Sequence, residues 1–272
     1  LTYYNKINKM GYKLKKVRKV KPLKKIEETD KIFESLKKVH DENKGKENVV
    51  RISIDTKDRV KVGDFSRGGR SRIAIKAGDH DFGNDYLTPF GILDLTNDSL
   101  ELIFTQTKAT SDFMVDSIEA YWLKSGYWYS KDTLIINADN GPENSSRRMQ
   151  FMKRIIEFSS TYSVKVILAY YPPYHSKYNP IERVWGSLEQ HWNGDILDTN
   201  EAVLGFASSM TWKGKNPFVT LNESVYETGK KVEKNVMNIY ETVLYGTKGI
   251  EKWFVTILPQ KCRVVLDMEM KV

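Results

Sequence analysis

The stretch Thr133-Leu-Ile-Ile-Asn-Ala-Asp139-Asn-Gly-Pro142 decides the fold. An apolar run of strand length stops in an acid, and Asn140-Gly141-Pro142 turns the chain. A helix is expected next over 146–161, with Met149, Met152, Ile156 and Ser160 on one side. A strand over 165–171 follows, halted by Pro172-Pro173. The helix after it, over 179–192, opens with Asn179 as a capping residue and Pro180 at a position suited to the first turn. Strands alternating with helices in this way build parallel strands with helices packed on the sheet.

Upstream, the pattern changes. Residues 28–42 read as a helix with Ile32, Phe33, Leu36 and Val39 at helical spacing. Arg51-Ile-Ser-Ile-Asp55-Thr56 is a short strand in which Ile52 and Ile54 share one face and Ser53 and Asp55 the other. Residues 57–85 are polar and Gly-rich and read as loop; strands over 87–95 and 100–106 around Thr96-Asn97-Asp98 read as a hairpin. A helix over 110–124 completes the order β, β, β, α, β, α, β, α, which implies a mixed sheet covered by helices on both faces. Downstream, helices near 199–210 and 230–244 and a strand near 253–258 are expected.

Composition narrows the class. The single cysteine, Cys262, excludes an internal disulfide and a cysteine-based zinc cluster. No apolar run approaches the roughly 20 residues that span a bilayer, and no apolar segment opens the chain as a secretory signal would. A cytoplasmic protein, nucleoid-associated in a bacterium, is the expectation. The net charge is +8, yet residues 1–25 hold ten Lys or Arg and no acid, which leaves the remainder two units negative. The arm Lys13, Lys15, Lys16, Arg18, Lys19 therefore reads either as a DNA-binding element acting by counterion release or as a solvated basic tail. The chain begins with Leu1 rather than Met, which reads as a fragment or as a start codon translated literally.

Three acids stand in unusual settings. Asp55 interrupts an apolar strand, and a charge there is costly to bury unless it is paired or binds a metal. Asp139 closes a strand where open α/β sheets commonly carry functional groups. Glu182 lies in the first turn of a helix whose stripe Ile181, Trp185, Leu188, Trp192 faces the sheet. Taken singly, Asp139 also reads as a turn starter and Glu182 as a complement to a helix N-terminus. Three carboxylates together suit two hard divalent cations roughly 4 Å apart, the arrangement that serves phosphoryl transfer.

Leu134-Ile-Ile-Asn-Ala-Asp139-Asn-Gly-Pro-Glu-Asn144 and Tyr171-Pro-Pro-Tyr-His175-Ser-Lys-Tyr-Asn-Pro180-Ile-Glu182-Arg-Val-Trp185 resemble the DDE transposases of insertion sequences and mariner-like elements. Asp79-His80-Asp81-Phe82 and Met210-Thr-Trp-Lys-Gly214 are most similar to the Rhodopirellula-type family of these enzymes. The resemblance implies an RNase H-like fold, a mixed five-stranded sheet flanked by helices. It implies Asp55, Asp139 and Glu182 as ligands of two Mg²⁺ or Mn²⁺ ions. The implied activity is cleavage of a DNA phosphodiester at an element end, then attack of the freed 3′-hydroxyl on target DNA. DNA is the implied partner, bound by a homodimer or higher assembly.

Around these acids, His175 and Lys177 read either as phosphate contacts or as an exposed loop pair, Arg183 is expected to bind DNA, and Asn140 and Asn144 either support the site or stabilise the turn. Tyr170, Tyr171 and Tyr174 read as sheet-edge packing rather than base-stacking platforms. Asp79, His80 and Asp81 read as loop. The expected organisation is a basic arm and linker helix over 1–48, the remnant of an upstream helix-turn-helix region, a catalytic core over 49–194, and an extension over 195–272 packed on that core. Two alternatives keep the same fold: a nuclease without strand transfer, and a non-catalytic DNA-binding remnant of a transposon.

Overall fold

A computed structural model describes residues 2–13, 24–64, 66–71, 73–78 and 85–269. Lys15, Lys16, Arg18 and Lys19 of the basic arm, and Asp79, His80 and Asp81, lie outside the described residues. The elements are α1 (Tyr3–Lys9), α2 (Thr29–Asn43), β1 (Val49–Thr56), β2 (Val60–Lys61), β3 (Tyr86–Asp94), β4 (Leu100–Thr105), α3 (Ser111–Lys124), β5 (Thr133–Ala138), α4 (Met149–Thr161) and β6 (Lys165–Tyr170). They continue with α5 (Glu182–His191), α6 (Asn200–Ser209), β7 (Phe218–Asn222), α7 (Lys234–Glu241), β8 (Leu244–Gly246), β9 (Phe254–Ile257) and α8 (Pro259–Glu269).

The nine strands of the described residues form one sheet in the order β7-β4-β3-β1-β5-β6-β9-β8, with β2 paired to β3 off that row. At its centre, β1 runs antiparallel to β3 and parallel to β5, and β5 runs parallel to β6. This five-stranded centre, β4-β3-β1-β5-β6, is the RNase H-like arrangement expected. The sheet is larger than expected because strands from the last quarter of the chain cover both edges. β7 adds parallel to β4, and β9 adds antiparallel to β6. Covering an edge removes a row of unpaired backbone groups from solvent. β7 was not expected: its five residues are exposed or half-buried, and only Val219 and Leu221 pack inward, against the cluster under α5 and α6.

The two faces of the sheet are packed differently. On one, Val50, Ile52 and Ile54 of β1 and Leu134 and Ile136 of β5 meet α3, α4 and α8 in a continuous core. On the other, two separate clusters form. Helices α5 and α6 cover β3 and β4 through Ile181, Trp185, Leu188 and Val203, while α2 covers β5 and β6 through Ile32 and Leu36. The polar face of β1, Arg51, Ser53 and Asp55, runs along the seam between those clusters. That seam is why a central strand here tolerates three polar side chains.

Two helix starts differ from expectation. α4 begins at Met149 rather than 146, because the Ser146 amide is held by the Asn140 side chain at 3.0 Å in the preceding turn. α5 begins at Glu182 rather than 179, and Asn179 does not cap it: the Asn179 side chain is buried and bonds across to β1. Among the described residues no helix is long and apolar enough to cross a membrane.

Candidate metal centre

The parallel register between β1 and β5 brings the first two acids together. Ser53 lies beside Asn137, and the same register carried two residues on sets Asp139 beside Asp55. Asp139 sits one residue beyond the end of β5, where Asn140 takes a left-handed conformation, φ 63°, and Gly141 turns the chain back. Asn tolerates that conformation better than most residues. The turn folds onto the acid: the Gly141 amide and the Asn144 side-chain amide both donate to Asp139 Oδ1 at 3.1 Å. Asn140 thus shapes the turn, and Asn144 touches the acid itself.

Glu182 is the first residue of α5, which packs on β3 and β4. Trp185, one turn later, donates from Nε1 to Asp55 Oδ2 at 2.7 Å. Burial, and then the charges of Asp139 and Glu182, push the Asp55 carboxyl up to about 7, against the Trp185 hydrogen bond that pulls it down. Three acids therefore share one electrostatic neighbourhood. They do not yet form one coordination sphere: among the described residues no three His, Cys, Asp or Glu side chains stand at metal-holding distance. Coulombic coupling reaches further than ligation, so the two observations are compatible. Asp55 and Asp139 line a cleft of about 360 Å³ with Gly141 and Asn144, and Glu182 approaches Asp55 from the helix side, outside that lining.

The donor set fits a hard cation. Around Gly141 a Cβ would stand 3.1 and 3.3 Å from the two Asp139 oxygens and 3.5 Å from Asn144 Oδ1, so three oxygens surround one small space that glycine leaves open. Asn144 Oδ1 is buried with no hydrogen-bond partner among the described residues. An unsatisfied buried acceptor beside two like-charged carboxylates is the environment that a divalent cation relieves.

The residues expected to touch phosphate separate. Lys177 and Arg183 are exposed, Lys177 with its ammonium 5.3 Å from the Tyr178 ring, and Lys13 is exposed far upstream. His175 is corrected: it is only 4% exposed, wedged against Phe33 and Tyr178, with Nδ1 2.8 Å from the Pro173 carbonyl oxygen. Its ring completes the packing of α2 on the loop before α5 and is not offered to a ligand. Tyr170 and Tyr171 are buried, as sheet packing requires, and Tyr174 is exposed.

Sequence reading missed the cations that do line the acidic cleft, Lys57, Arg59 and Lys108. Each is held in place. Lys57 pairs with Glu189 of α5 at 2.6 Å, Lys108 pairs with Glu143 at 3.0 Å, and the Arg59 guanidinium lies 4.2 Å from the Tyr86 ring centre. The one available signal was proximity, since Lys57 and Arg59 follow Asp55 within four residues. Nothing in the sequence marks Lys108.

A family model described as the Rhodopirellula transposase DDE domain matches residues 2–259. No curated protein matches in sequence. Among solved structures the chain is similar to a Mos1 transposase paired-end complex with left transposon end, at 15% identity and TM-score 0.47, over 73% of this chain and 59% of that one. It is also similar to a mariner Mos1 paired-end complex with Mg, at 13% identity and TM-score 0.47, over 75% and 62%. The HTLV-2 integrase catalytic core domain in complex with magnesium is similar at 15% identity and TM-score 0.32, over 62% of this chain and 92% of that one. The chain spans 59% of the length of the first of these Mos1 chains.

Proposed function

The chain belongs to the Rhodopirellula transposase DDE-domain family, whose model spans residues 2–259, and from that premise we propose that it is a metal-dependent DNA transposase. It cuts at element ends and joins the freed end to target DNA. Asp55, Asp139 and Glu182 are the proposed catalytic acids. The observation that carries this reading is the β1–β5 register, which sets Asp139 beside Asp55 in a cleft where half-buried carboxylates of like charge are neighbours.

When bound there, two Mg²⁺ or Mn²⁺ ions would supply charge neutralisation for the attacking and leaving oxygens. Asp55 and Asp139 would hold them from the sheet, Glu182 from α5, and Asn144 through its spare Oδ1. In the first step water attacks a DNA phosphorus and the 3′-oxygen leaves with a proton as a 3′-hydroxyl. In the second, that hydroxyl attacks a target phosphorus and displaces another 3′-oxygen, so one phosphodiester replaces another. Lys57, Arg59 and Lys108 at the cleft are suited to the backbone phosphates, which fix position rather than sequence. Lys13, Lys15, Lys16, Arg18 and Lys19 of the basic arm, with Lys177 and Arg183, would add further charge for DNA. Assembly of two or more copies on DNA belongs to the same proposal.

The test is a strand-transfer assay with purified protein, Mn²⁺, and DNA carrying the terminal inverted repeats that flank the gene. Joined products are expected from the wild type and none from Asp139→Asn. Nicks without joined products would make the enzyme a nuclease, and full activity in Asp139→Asn would refute the assignment of the acids.

A further inference from the structure

The first acid and the third are 127 positions apart in the chain, and a buried polar latch fastens their supports together. Ser53, two residues before Asp55 on the same face of β1, is fully buried, and so is Asn179, three residues before Glu182. Ser53 Oγ donates to Asn179 Oδ1 at 2.5 Å, and the Ile181 backbone N–H donates to Ser53 Oγ at 3.0 Å. Asn179 Nδ2 donates to the Ile54 carbonyl oxygen at 3.0 Å. Three hydrogen bonds thus pin the residues just before Glu182 to the two residues just before Asp55. A fourth, from Trp185 Nε1, reaches the Asp55 carboxylate itself.

The strand next door makes room for this. Gly91 lies opposite Asp55 on β3. A Cβ on Gly91 would stand 2.7 Å from Trp185 Cη2 and 2.9 Å from Ile181 Cδ1, so any side chain there would push α5 off β1.

The Ile181 amide needs a partner, as early helical amides do, but a local Ser or Asn side chain would serve as a cap without tying two distant segments. Here the acceptor comes from a strand 128 residues away. Apolar side chains would bury as well in this seam and would leave the helix free to slide. Hydrogen bonds between buried groups are directional and costly to break, so they fix one register. On the reading given under Proposed function, we propose that Ser53 and Asn179 are positioning residues of the divalent-cation site, setting where Glu182 stands relative to Asp55.

The test is Mn²⁺ binding, measured by titration calorimetry on wild type, Ser53→Ala, Glu182→Ala and the double variant, with far-ultraviolet circular dichroism and melting to establish folding. Ser53→Ala is expected to weaken Mn²⁺ binding roughly 10–100-fold, the range seen when outer-shell partners of metal ligands are lost. In the Glu182→Ala background the same change is expected to have no further effect, because the latch acts through Glu182. Equal Mn²⁺ affinity in Ser53→Ala and wild type, or equal losses in both backgrounds, overturns the proposal while leaving the functional reading standing. Absence of Mn²⁺ binding by the wild type overturns both. If Ser53→Ala fails to fold, Asn179→Ala takes its place in the same cycle, since it keeps the Ser53–Ile181 bond.

Discussion

One face of β1 carries two charges four residues apart, Arg51 near its start and Asp55 near its end, and they live in opposite circumstances. Arg51 is surrounded by neutral dipoles. Its Nε donates to Asn137 Oδ1 at 2.7 Å, and Tyr171 lies beside it. Burial lowers its pKa, and the neighbouring His40 is held down to about 4 by burial and by the guanidinium. Asp55 faces Asp139 and Glu182, two charges of its own sign, with hydrogen bonds from Trp185 and from the Thr56 backbone in its favour. The larger cleft, about 940 Å³, belongs to Arg51, and the smaller, about 360 Å³, to Asp55. The candidate metal centre is therefore set apart by the sign of its neighbours rather than by the size of its cleft. A buried charge among well-aimed dipoles is complete, whereas one among like charges calls for an ion from outside.

The largest expected effect comes from removing the carboxylate that stands among charges of its own sign. Asp55→Asn is expected to lower Mn²⁺-dependent DNA nicking on the order of 10³-fold or more, read from initial rates on supercoiled plasmid. The same substitution changes how stability depends on pH. Asp55 in the folded state titrates near 7, far above an unfolded aspartate, so the folded protein holds a proton there that the unfolded chain has released. Stability of the metal-free protein should then fall as pH rises from about 4 to 7 and level off above. His40 works in the opposite sense. Its folded value near 4 lies below the unfolded value near 6.5, so its share of stability is present above about 6.5 and is lost as pH falls toward 4. Melting curves between pH 4 and 8 should show Asp55→Asn deleting the falling limb and leaving the rising one. Added Mn²⁺ should raise the wild-type melting temperature more at pH 8 than at pH 5 and should do little for Asp55→Asn.

A smaller effect is expected where the strand makes room for the helix. Gly91→Ala should cost about 1–3 kcal/mol by urea unfolding, the usual range for overpacking, because Trp185 and Ile181 must give way. Mn²⁺ binding should weaken with it, since the Trp185 bond to Asp55 lengthens. A Gly91→Ala protein with unchanged Mn²⁺ affinity would separate the helix position from the metal site.

These contrasts show what the sequence carried and what it did not. Alternation in 51–56 put Ser53 and Asp55 on one face and Ile52 and Ile54 on the other, and the sheet has them so. The turn after Asp139 and the apolar stripe Ile181, Trp185, Leu188, Trp192 were equally legible, because each depends on residues close in sequence. Asn179 misled for the same reason. Its local context, just before Pro180, is that of a cap, while its actual partners lie on a strand some 125 residues earlier. His175 looked like an exposed loop residue because nothing nearby announces that Phe33 of α2 closes over it. The cations of the cleft come from two separate segments that only the fold brings together. The edge strand β7 is short and turns only Val219 and Leu221, both half-buried, toward the core, which is too brief an alternation to stand out. What pairing at a distance decides, periodicity does not record.

The smallest effect is expected at the other charge of β1. Arg51→Met removes a guanidinium that has no carboxylate partner among the described residues and puts a flexible apolar side chain in a partly buried place. A buried charge that has lost its solvation gives up little when an apolar group replaces it. What remains is the Asn137 Oδ1 acceptor left without its donor, worth about 1 kcal/mol. Asn137 keeps its other bond, to the Ala169 carbonyl oxygen, so the β5–β6 pairing should hold. Urea unfolding should therefore register a loss of about 1 kcal/mol or less, and Mn²⁺ affinity and nicking should stay at the wild-type level. Loss of Mn²⁺ binding in Arg51→Met would mean that the two ends of β1 are coupled through Asn137 and Ser53, and that the charge without like neighbours takes part in the site after all.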